Sequence, residues 1–151
     1  MMKVSIVGLG SLGGFLAARL SSFPDIQIQW VYRKSSIRQD EQVLLTYPEL
    51  DEPLIGQAHA TSYGLEQVTG DVVFMTTKAH DNRALFSQAK AWTNKTIVLL
   101  QNGIGEDEKL AQALDSSNAI ISAITHLKAS YTTAPYQVTL HNQLLDCVYA
   151  V

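Results

Sequence analysis

The sequence has one cysteine and no long apolar run. Cys147 is the only cysteine among 151 residues, so no disulfide can form within the chain, which suits a reducing compartment. No stretch approaches the roughly 18 consecutive apolar residues that a transmembrane helix requires, and Met1 to Lys3 lead directly into a short strand-like segment. We therefore expect a cytoplasmic protein that has no targeting segment and does not bind membranes.

The sequence also lacks a large excess of charge and any metal-ligand spacing. Eleven Lys and Arg residues against fourteen Asp and Glu residues give a net charge of -3, which argues against nucleic acid as a partner. Hydrophobic residues make up 46% of the chain and charged residues 17%, values that are typical of globular rather than disordered proteins. Four histidines show no spacing that suits a metal, so no metal site is predicted: His59, His80, His126 and His141.

Strand-like and helical segments alternate along the chain, whose 151 residues suffice for one domain of roughly 150 residues. The predicted strands are 3–7, 26–32, 71–76, 96–100 and 118–125, and the predicted helices begin near Ser11, after Asp81 and at Glu106. Weaker patterns predict a strand pair at 42–47 and 53–61 and an edge hairpin formed by 137–141 and 144–151. This order predicts an α/β fold of the Rossmann type, with a doubly wound, mostly parallel sheet in a three-layer α/β/α arrangement over residues 1–151.

A glycine-rich loop follows the first predicted strand and opens the first predicted helix. Its sequence is G-x-G-x-x-G, in which the first glycine permits a tight turn, the second lets a pyrophosphate approach the backbone, and the third lets helix and strand pack closely. The N-terminus of the helix presents amide N–H groups to the phosphate. This pattern predicts a dinucleotide site made by Gly8, Leu9, Gly10, Ser11, Leu12 and Gly13.

Two cations follow the second predicted strand. The residue about 20 positions past the glycines selects the cofactor, because an acid there binds the ribose 2′-hydroxyl and a cation accommodates a 2′-phosphate. Counting on from Gly13 reaches Arg33, which is followed by Lys34 and two serines. A solvated charge pair after a strand is the alternative interpretation. The absence of a carboxylate favours NADPH as the cofactor.

Polar residues also follow the predicted strands 71–76 and 96–100. Lys78 lies in T-T-K-A-H-D and Asn102 in Q-N-G-I-G. Ligands of open α/β sheets bind at the carboxyl ends of the strands, so these two side chains are predicted to converge on one ligand. Taken alone, a lysine there is more often just solvated, and an Asn-Gly pair is more often only a turn.

The ordered set G-L-G-S-L-G, W-V-Y-R-K, T-T-K-A-H-D, Q-N-G-I-G and A-I-T-H resembles the ketopantoate reductase (2-dehydropantoate 2-reductase) family. The resemblance implies that NADPH reduces the ketone of 2-dehydropantoate to pantoate, a step toward pantothenate and coenzyme A. It also implies that Gly8 to Gly13 bind the pyrophosphate and Arg33 the 2′-phosphate. By the same resemblance, Lys78 and Asn102 lie on the nicotinamide side of the cleft near the substrate.

The resemblance covers only the cofactor-binding domain of that family. The second domain of the family is helical and supplies the lysine that donates the proton, so no catalytic residue is assigned within residues 1–151. Lys128 stands where the family tends to have a small residue in contact with cofactor. We therefore expect an NADP-binding domain that is inactive by itself.

Two other functions stay open at this point. One is a dinucleotide-sensing module without catalysis, and the other is a related NADPH-dependent reductase of a different 2-oxo acid. An apolar run near the C-terminus also predicts self-association through an exposed interface. Its residues are Leu144, Leu145, Val148, Tyr149 and Val151.

Overall fold

One sheet lies between two helical layers. The structure, a computed structural model, describes residues 1–8, 10–32, 40–46, 51–62, 65–133, 136–142 and 148–150. The elements are β1 (Met2–Val7), α1 (Ser11–Leu20), β2 (Ile26–Tyr32), β3 (Asp40–Thr46), β4 (Leu54–Ser62), β5 (Val72–Met75), α2 (Asn82–Gln88), β6 (Thr96–Leu99), α3 (Glu106–Ala113), β7 (Ala119–Thr125), β8 (Ala129–Thr133), β9 (Tyr136–Leu140) and β10 (Val148–Ala150). None of the helices in these ranges is long and apolar enough to cross a membrane.

The described strands pair in the order β10-β7-β6-β5-β1-β2-β4-β3-β9-β8. All pairings from β7 to β4 are parallel, and β1 lies at the centre of this parallel part. The first βαβ unit therefore sits where the strand order reverses, which is the place where such sheets bind ligands. The predicted Rossmann-type fold with a mostly parallel sheet is confirmed.

Side chains alternate between two cores, one on each face of the sheet. Ile6 and Trp30 pack against α1 on one face, and their chain neighbours Val7 and Val31 pack on the other face with residues of α2 and α3, including Leu110. Because successive strand residues point to opposite faces, continuous apolar strands require helices on both sides. This accounts for the three layers.

The β3–β4 pair forms as predicted, but the hairpin predicted at 137–141 and 144–151 is wrong. Strand β9 pairs with β8 in an antiparallel ladder and with β3 in a parallel one, whereas β10 pairs with β7 at the opposite edge of the sheet. The physical reason is burial: Tyr136, Val138 and Leu140 all enter the core beside α1, which only the β3 edge offers. Strand β8 is not among the predicted strands, because its A-S-Y-T-T sequence contains few apolar residues.

The loop that enters β5 is tied to β1 and β2 by polar side chains. The buried Ser5 hydroxyl donates to Gln29 Oε1 at 2.7 Å and accepts from the Gly70 N–H at 2.9 Å. Lys95 Nζ donates to the Gly70 carbonyl at 2.7 Å, and burial lowers the pKa of this ammonium despite the opposing effect of Asp71. We call Ser5, Gln29, Gly70 and Lys95 the entry network.

Candidate functional site

The glycine loop joins β1 to α1 through two close backbone approaches. Gly8 has a φ of +123°, a conformation that L side chains rarely adopt. A Cβ on Gly13 would lie 2.3 Å from the Gly8 carbonyl oxygen, whereas a Cβ on Gly10 would meet nothing within 4 Å. The first and third glycines are therefore required by the fold, and the second leaves open space beside the start of α1.

The N-terminus of α1 faces that open space. Gly10 is the N-cap and makes no side-chain cap bond, and the first turn holds no acidic residue. The first N–H groups of a helix have no partner within the helix, and the helix dipole favours an anion there. Ser11 and Leu12 in this turn are half-buried. The loop thus has the local geometry of a phosphate site.

Two aromatic side chains donate hydrogen bonds to carbonyl groups of the glycine loop. Trp30 Nε1 donates to the Gly8 oxygen at 2.7 Å, and the Tyr136 hydroxyl donates to the Gly10 oxygen at 2.8 Å. Their rings pack edge to face, with centroids 4.9 Å apart and an interplanar angle of 85°. From the sequence, Trp30 is predicted only as part of a strand and Tyr136 has no predicted role, because 126 residues separate the tyrosine from Gly10.

The chain segments that follow the carboxyl ends of β5 and β6, which we call their exits, lie next to the glycine loop. Thr76 Oγ1 donates to the Val7 carbonyl at 3.0 Å, which joins the β5 exit to the end of β1. Gln101 Nε2 donates to Thr77 Oγ1 at 3.0 Å, which joins the β6 exit to the β5 exit. Val7, Met75 and Leu99 are partners in the parallel register. The carboxyl ends of all three strands therefore lie side by side.

Lys78 and Asn102 each follow one of these joined residues. Both are exposed. Within the ranges that the structure covers, neither side chain makes a hydrogen bond or an ion pair. The structure therefore places Lys78 and Asn102 after neighbouring parallel strands, and their convergence on one ligand stays a prediction.

A buried asparagine fixes the side chain of Gln101 at the β6 exit. Asn82 is 2% exposed; its Nδ2 donates to Gln101 Oε1 at 2.7 Å, and its Oδ1 accepts from Gln101 Nε2 at 2.9 Å. Asn82 Nδ2 also donates to Glu106, which forms a 2.6 Å ion pair with Lys109. Hydrogen bonds from Lys109 and Asn82 lower the pKa of the Glu106 carboxyl. We call Thr77, Asn82, Gln101 and Glu106 the exit network, whose contacts no sequence pattern predicts.

The family model described as "Ketopantoate reductase PanE/ApbA" matches residues 4–145. The chain belongs to the ketopantoate reductase family. No curated protein sequence matches it.

Solved structures of this family share the fold. A probable 2-dehydropantoate 2-reductase from Bacillus subtilis superposes with a TM-score of 0.74 at 22% identity, over 93% of this chain and 47% of that one. A dimeric ketopantoate reductase from Staphylococcus aureus gives 0.63 at 20% identity, over 93% and 48%. Octopine dehydrogenase, in a structure with NADH and pyruvate, gives 0.75 at 13% identity, over 95% and 41%. The chain thus spans about half the length of the ketopantoate reductases that it matches.

Several predicted features of the family remain predictions. Leu9, Arg33 and Lys34 lie outside the described residues, so their roles at the pyrophosphate and 2′-phosphate are untested by the structure. Lys128 is exposed and directly precedes β8, and its N–H donates to Asn142 Oδ1 at 2.9 Å. Within the described ranges, no three His, Cys, Asp or Glu side chains group as a metal site would require.

Proposed function

We propose that residues 1–151 form the NADPH-binding domain of a 2-dehydropantoate 2-reductase, an oxidoreductase that converts ketopantoate to pantoate. One observation carries the proposal: the open N-terminus of α1 and the exposed Lys78 and Asn102 share one edge of the sheet, in a chain of the ketopantoate reductase family. Solved members of that family have about twice this length. The whole reaction therefore needs residues beyond this domain.

The described residues fit a dinucleotide. Gly10 leaves the start of α1 open to a pyrophosphate, since a side chain there would meet no protein atom within 4 Å. Helix N-H groups without a side-chain cap suit its negative charge. By their sequence positions, Arg33 and Lys34 supply the cations that a 2′-phosphate requires. This assignment favours NADPH over NADH.

Lys78 and Asn102 act on the reacting end of the ligands. NADPH, when bound, supplies the hydride for the ketone carbon. In our proposal the Asn102 amide orients the nicotinamide carboxamide, and the Lys78 ammonium stabilises negative charge that develops on the ketone oxygen. The proton that completes the alcohol comes from a lysine outside residues 1–151, so the isolated domain binds cofactor without turnover.

A reductase of another 2-oxo acid is the second candidate. Octopine dehydrogenase in a structure with NADH and pyruvate shares this fold at a TM-score of 0.75, and pyruvate is itself a 2-oxo acid. A dinucleotide sensor without catalysis is less favoured, because a sensor has little need of Lys78 and Asn102 at the nicotinamide end. The two reductase candidates are separated by comparing ketopantoate with pyruvate as substrates of the full-length protein.

Cofactor titration tests the proposal. Binding of NADPH and NADH to the 151-residue chain is followed by the fluorescence of the reduced nicotinamide, and we expect NADPH to bind at least tenfold more tightly. Arg33→Ala is expected to weaken NADPH about tenfold, since it removes a charged hydrogen bond worth about 1.5–3 kcal/mol, while NADH binding changes little. Lys3→Ala, which removes an exposed cation from β1, is the matched control. A preference for NADH, or equal losses for both cofactors in Arg33→Ala, would contradict the NADPH assignment.

We also propose that the protein is cytoplasmic and self-associates. The Staphylococcus aureus relative is described as dimeric, and the apolar run that predicts an interface here lies at residues 144–151. The side chains of Val148 and Tyr149 and the whole of Leu144, Leu145 and Val151 lie outside what the structure describes. Light scattering of the chain at high concentration tests the idea, and a clean monomer would contradict it.

A further inference from the structure

The β8–β9 hairpin reaches across the sheet edge to the glycine loop. Strand β9 pairs with β3, and in the sheet order β2, β4 and β3 separate it from β1. Its first residue, Tyr136, is 5% exposed, yet its hydroxyl donates at 2.8 Å to the Gly10 carbonyl. A segment that lies far from the first βαβ unit in sequence therefore contacts the middle of the proposed pyrophosphate loop.

The Gly10 carbonyl accepts two hydrogen bonds. One comes from the Gly14 N–H at 2.9 Å, which is the first bond of α1, and the other comes from Tyr136. The peptide between Gly10 and Ser11 is planar and trans, so its N–H points away from its C=O. Fixing the Gly10 oxygen toward the core therefore aims the Ser11 N–H out of the helix start, where an anion binds.

The tyrosine ring is held firmly enough to do this. Trp30 meets the ring edge to face and itself donates to the Gly8 carbonyl at 2.7 Å. On the helix side, a Cβ on Gly14 would lie 2.7 Å from Tyr136 Cε1 and 2.6 Å from Val138 Cγ2. Glycine at position 14 thus lets the ring lie directly against the backbone of α1.

We propose that Tyr136 is a positioning residue for the dinucleotide, which makes the β8–β9 hairpin part of the cofactor site. This inference rests on the proposed function. Tyr136 touches no cofactor itself; it acts through the Gly10–Ser11 peptide, and Trp30 supports it by holding both the ring and the Gly8 carbonyl. A packing role alone would require only the ring, whereas the hydroxyl donates a hydrogen bond to the glycine loop.

The variant Tyr136→Phe separates these roles, because it removes the hydroxyl and keeps the ring. The matched control is Tyr131→Phe on β8, whose ring lies 5.8 Å from that of Tyr136 and whose side chain is 47% exposed. Circular dichroism and thermal unfolding establish that both variants are folded. Binding is then measured for NADPH, for 2′-phospho-ADP-ribose and for adenosine 2′-monophosphate.

The expected result is selective for the pyrophosphate. Tyr136→Phe weakens NADPH and 2′-phospho-ADP-ribose by about three- to tenfold, the effect of one hydrogen bond. It leaves adenosine 2′-monophosphate unchanged, because that ligand has no pyrophosphate. Tyr131→Phe changes none of the three affinities.

Two outcomes overturn the inference. If the wild-type chain binds NADPH and Tyr136→Phe binds it equally well, the positioning role is wrong while the proposed function stands. The role is also wrong if all three ligands weaken to the same extent, since that indicates a general structural loss. Absence of NADPH binding by the wild-type chain overturns the proposed function and the positioning role together.

Discussion

The two ends of β5 and β6 use polar side chains in opposite ways. In the entry network, the Ser5 hydroxyl donates to Gln29, and Ser5 and Lys95 both bond to the backbone of Gly70. In the exit network, Asn82 and Gln101 bond to each other, but the residues that follow Thr77 and Gln101 are exposed and make no hydrogen bond within the described ranges. At the entry the polar side chains bond to one another and to the backbone. At the exit, Asn82 and Gln101 bond to each other, while Lys78 and Asn102 are exposed to solvent.

We therefore expect substitutions in the entry network to affect mainly stability and substitutions at the exits to affect cofactor binding. Buried polar groups that are fully bonded contribute to folding, so changes at the entry should lower stability without altering cofactor affinity. Groups at the carboxyl ends of parallel strands face the ligand site, so changes there should alter affinity. Substitutions at matched positions test whether this separation holds.

Gly70→Ala is expected to have the largest effect. The new Cβ would lie 2.4 Å from the Ser5 backbone nitrogen and 2.6 Å from Ser5 Oγ, and such overpacking costs about 3 kcal/mol. Thermal unfolding should show a Tm lower by about 6–12 °C, with the NADPH Kd of the folded protein unchanged. A weakened NADPH affinity at temperatures where the variant is fully folded would contradict the view that the entry network affects stability alone.

Asn82→Ala at the exit is expected to affect both properties. The substitution leaves Gln101 and Glu106 without their buried partner, which costs about 2 kcal/mol in the free energy of unfolding. Loosening of the two exits should also weaken NADPH about threefold, an effect of about 0.7 kcal/mol. Urea unfolding and cofactor titration measure the two quantities.

Ser5→Ala is the matched entry variant for Asn82→Ala. It removes a buried hydroxyl that donates one hydrogen bond and accepts another, so we expect a stability loss of about 1–3 kcal/mol. Its NADPH affinity should equal that of the wild type. Identical binding losses in Ser5→Ala and Asn82→Ala would show that the two networks do not differ in function.

Gly10→Ala makes the same chemical change as Gly70→Ala, but we expect it to weaken cofactor binding and to leave stability nearly unchanged. Its Cβ meets no protein atom within 4 Å and its φ is -145°, so the free energy of unfolding should change by less than about 1 kcal/mol. In the proposed site the methyl group occupies the space that the pyrophosphate would enter, so NADPH affinity should fall about tenfold, or about 1.4 kcal/mol. Unchanged affinity would show that the cofactor does not approach Gly10.

The smallest expected effect is a pH-dependent one at Glu106. Because hydrogen bonds from Lys109 and Asn82 lower the pKa of this carboxyl below its ordinary 4.5, its stabilising contribution is present above pH 4.5 and is lost as the pH falls through the lowered pKa. Glu106→Gln should therefore lower Tm by about 1–2 °C at pH 7, and the gap to the wild type should close in acid.

The control for this pH dependence is Glu108→Gln, which removes an exposed carboxyl two residues further along α3. Thermal unfolding between pH 3 and 7, run side by side for the three proteins, resolves the gap. A gap that persists unchanged at the acid end would show that the Glu106 charge is not its source.

Much of the fold follows from local sequence patterns. The central βαβ unit, the β5 and β6 strands and the starts of α2 and α3 lie within one or two residues of their predicted places. These elements are set by the period of apolar residues and by glycine positions, which act over a few neighbouring residues. Lys78 and Asn102 are predicted as site residues for the same reason, since each lies just past a recognisable strand.

The partners of the edge strands could not be predicted in this way. The hairpin prediction joined two segments that are close in sequence, yet β9 and β10 lie at opposite ends of the sheet order, with β9 second from one edge and β10 at the other. The alternating apolar residues of β9 indicate that one of its faces is buried, but they do not indicate which helix covers that face. Only the position of α1 determines that burial.

Local sequence patterns are enough to predict the order of strands and helices, the glycine loop and the polar residues after β5 and β6, because these depend on short-range backbone conformation and side-chain period. The hydrogen bonds of Tyr136 to Gly10 and of Asn82 to Gln101 cannot be predicted from those patterns. Such contacts join residues that are remote in the chain, and they exist only once the packing of the sheet and its helices has fixed which side chains meet.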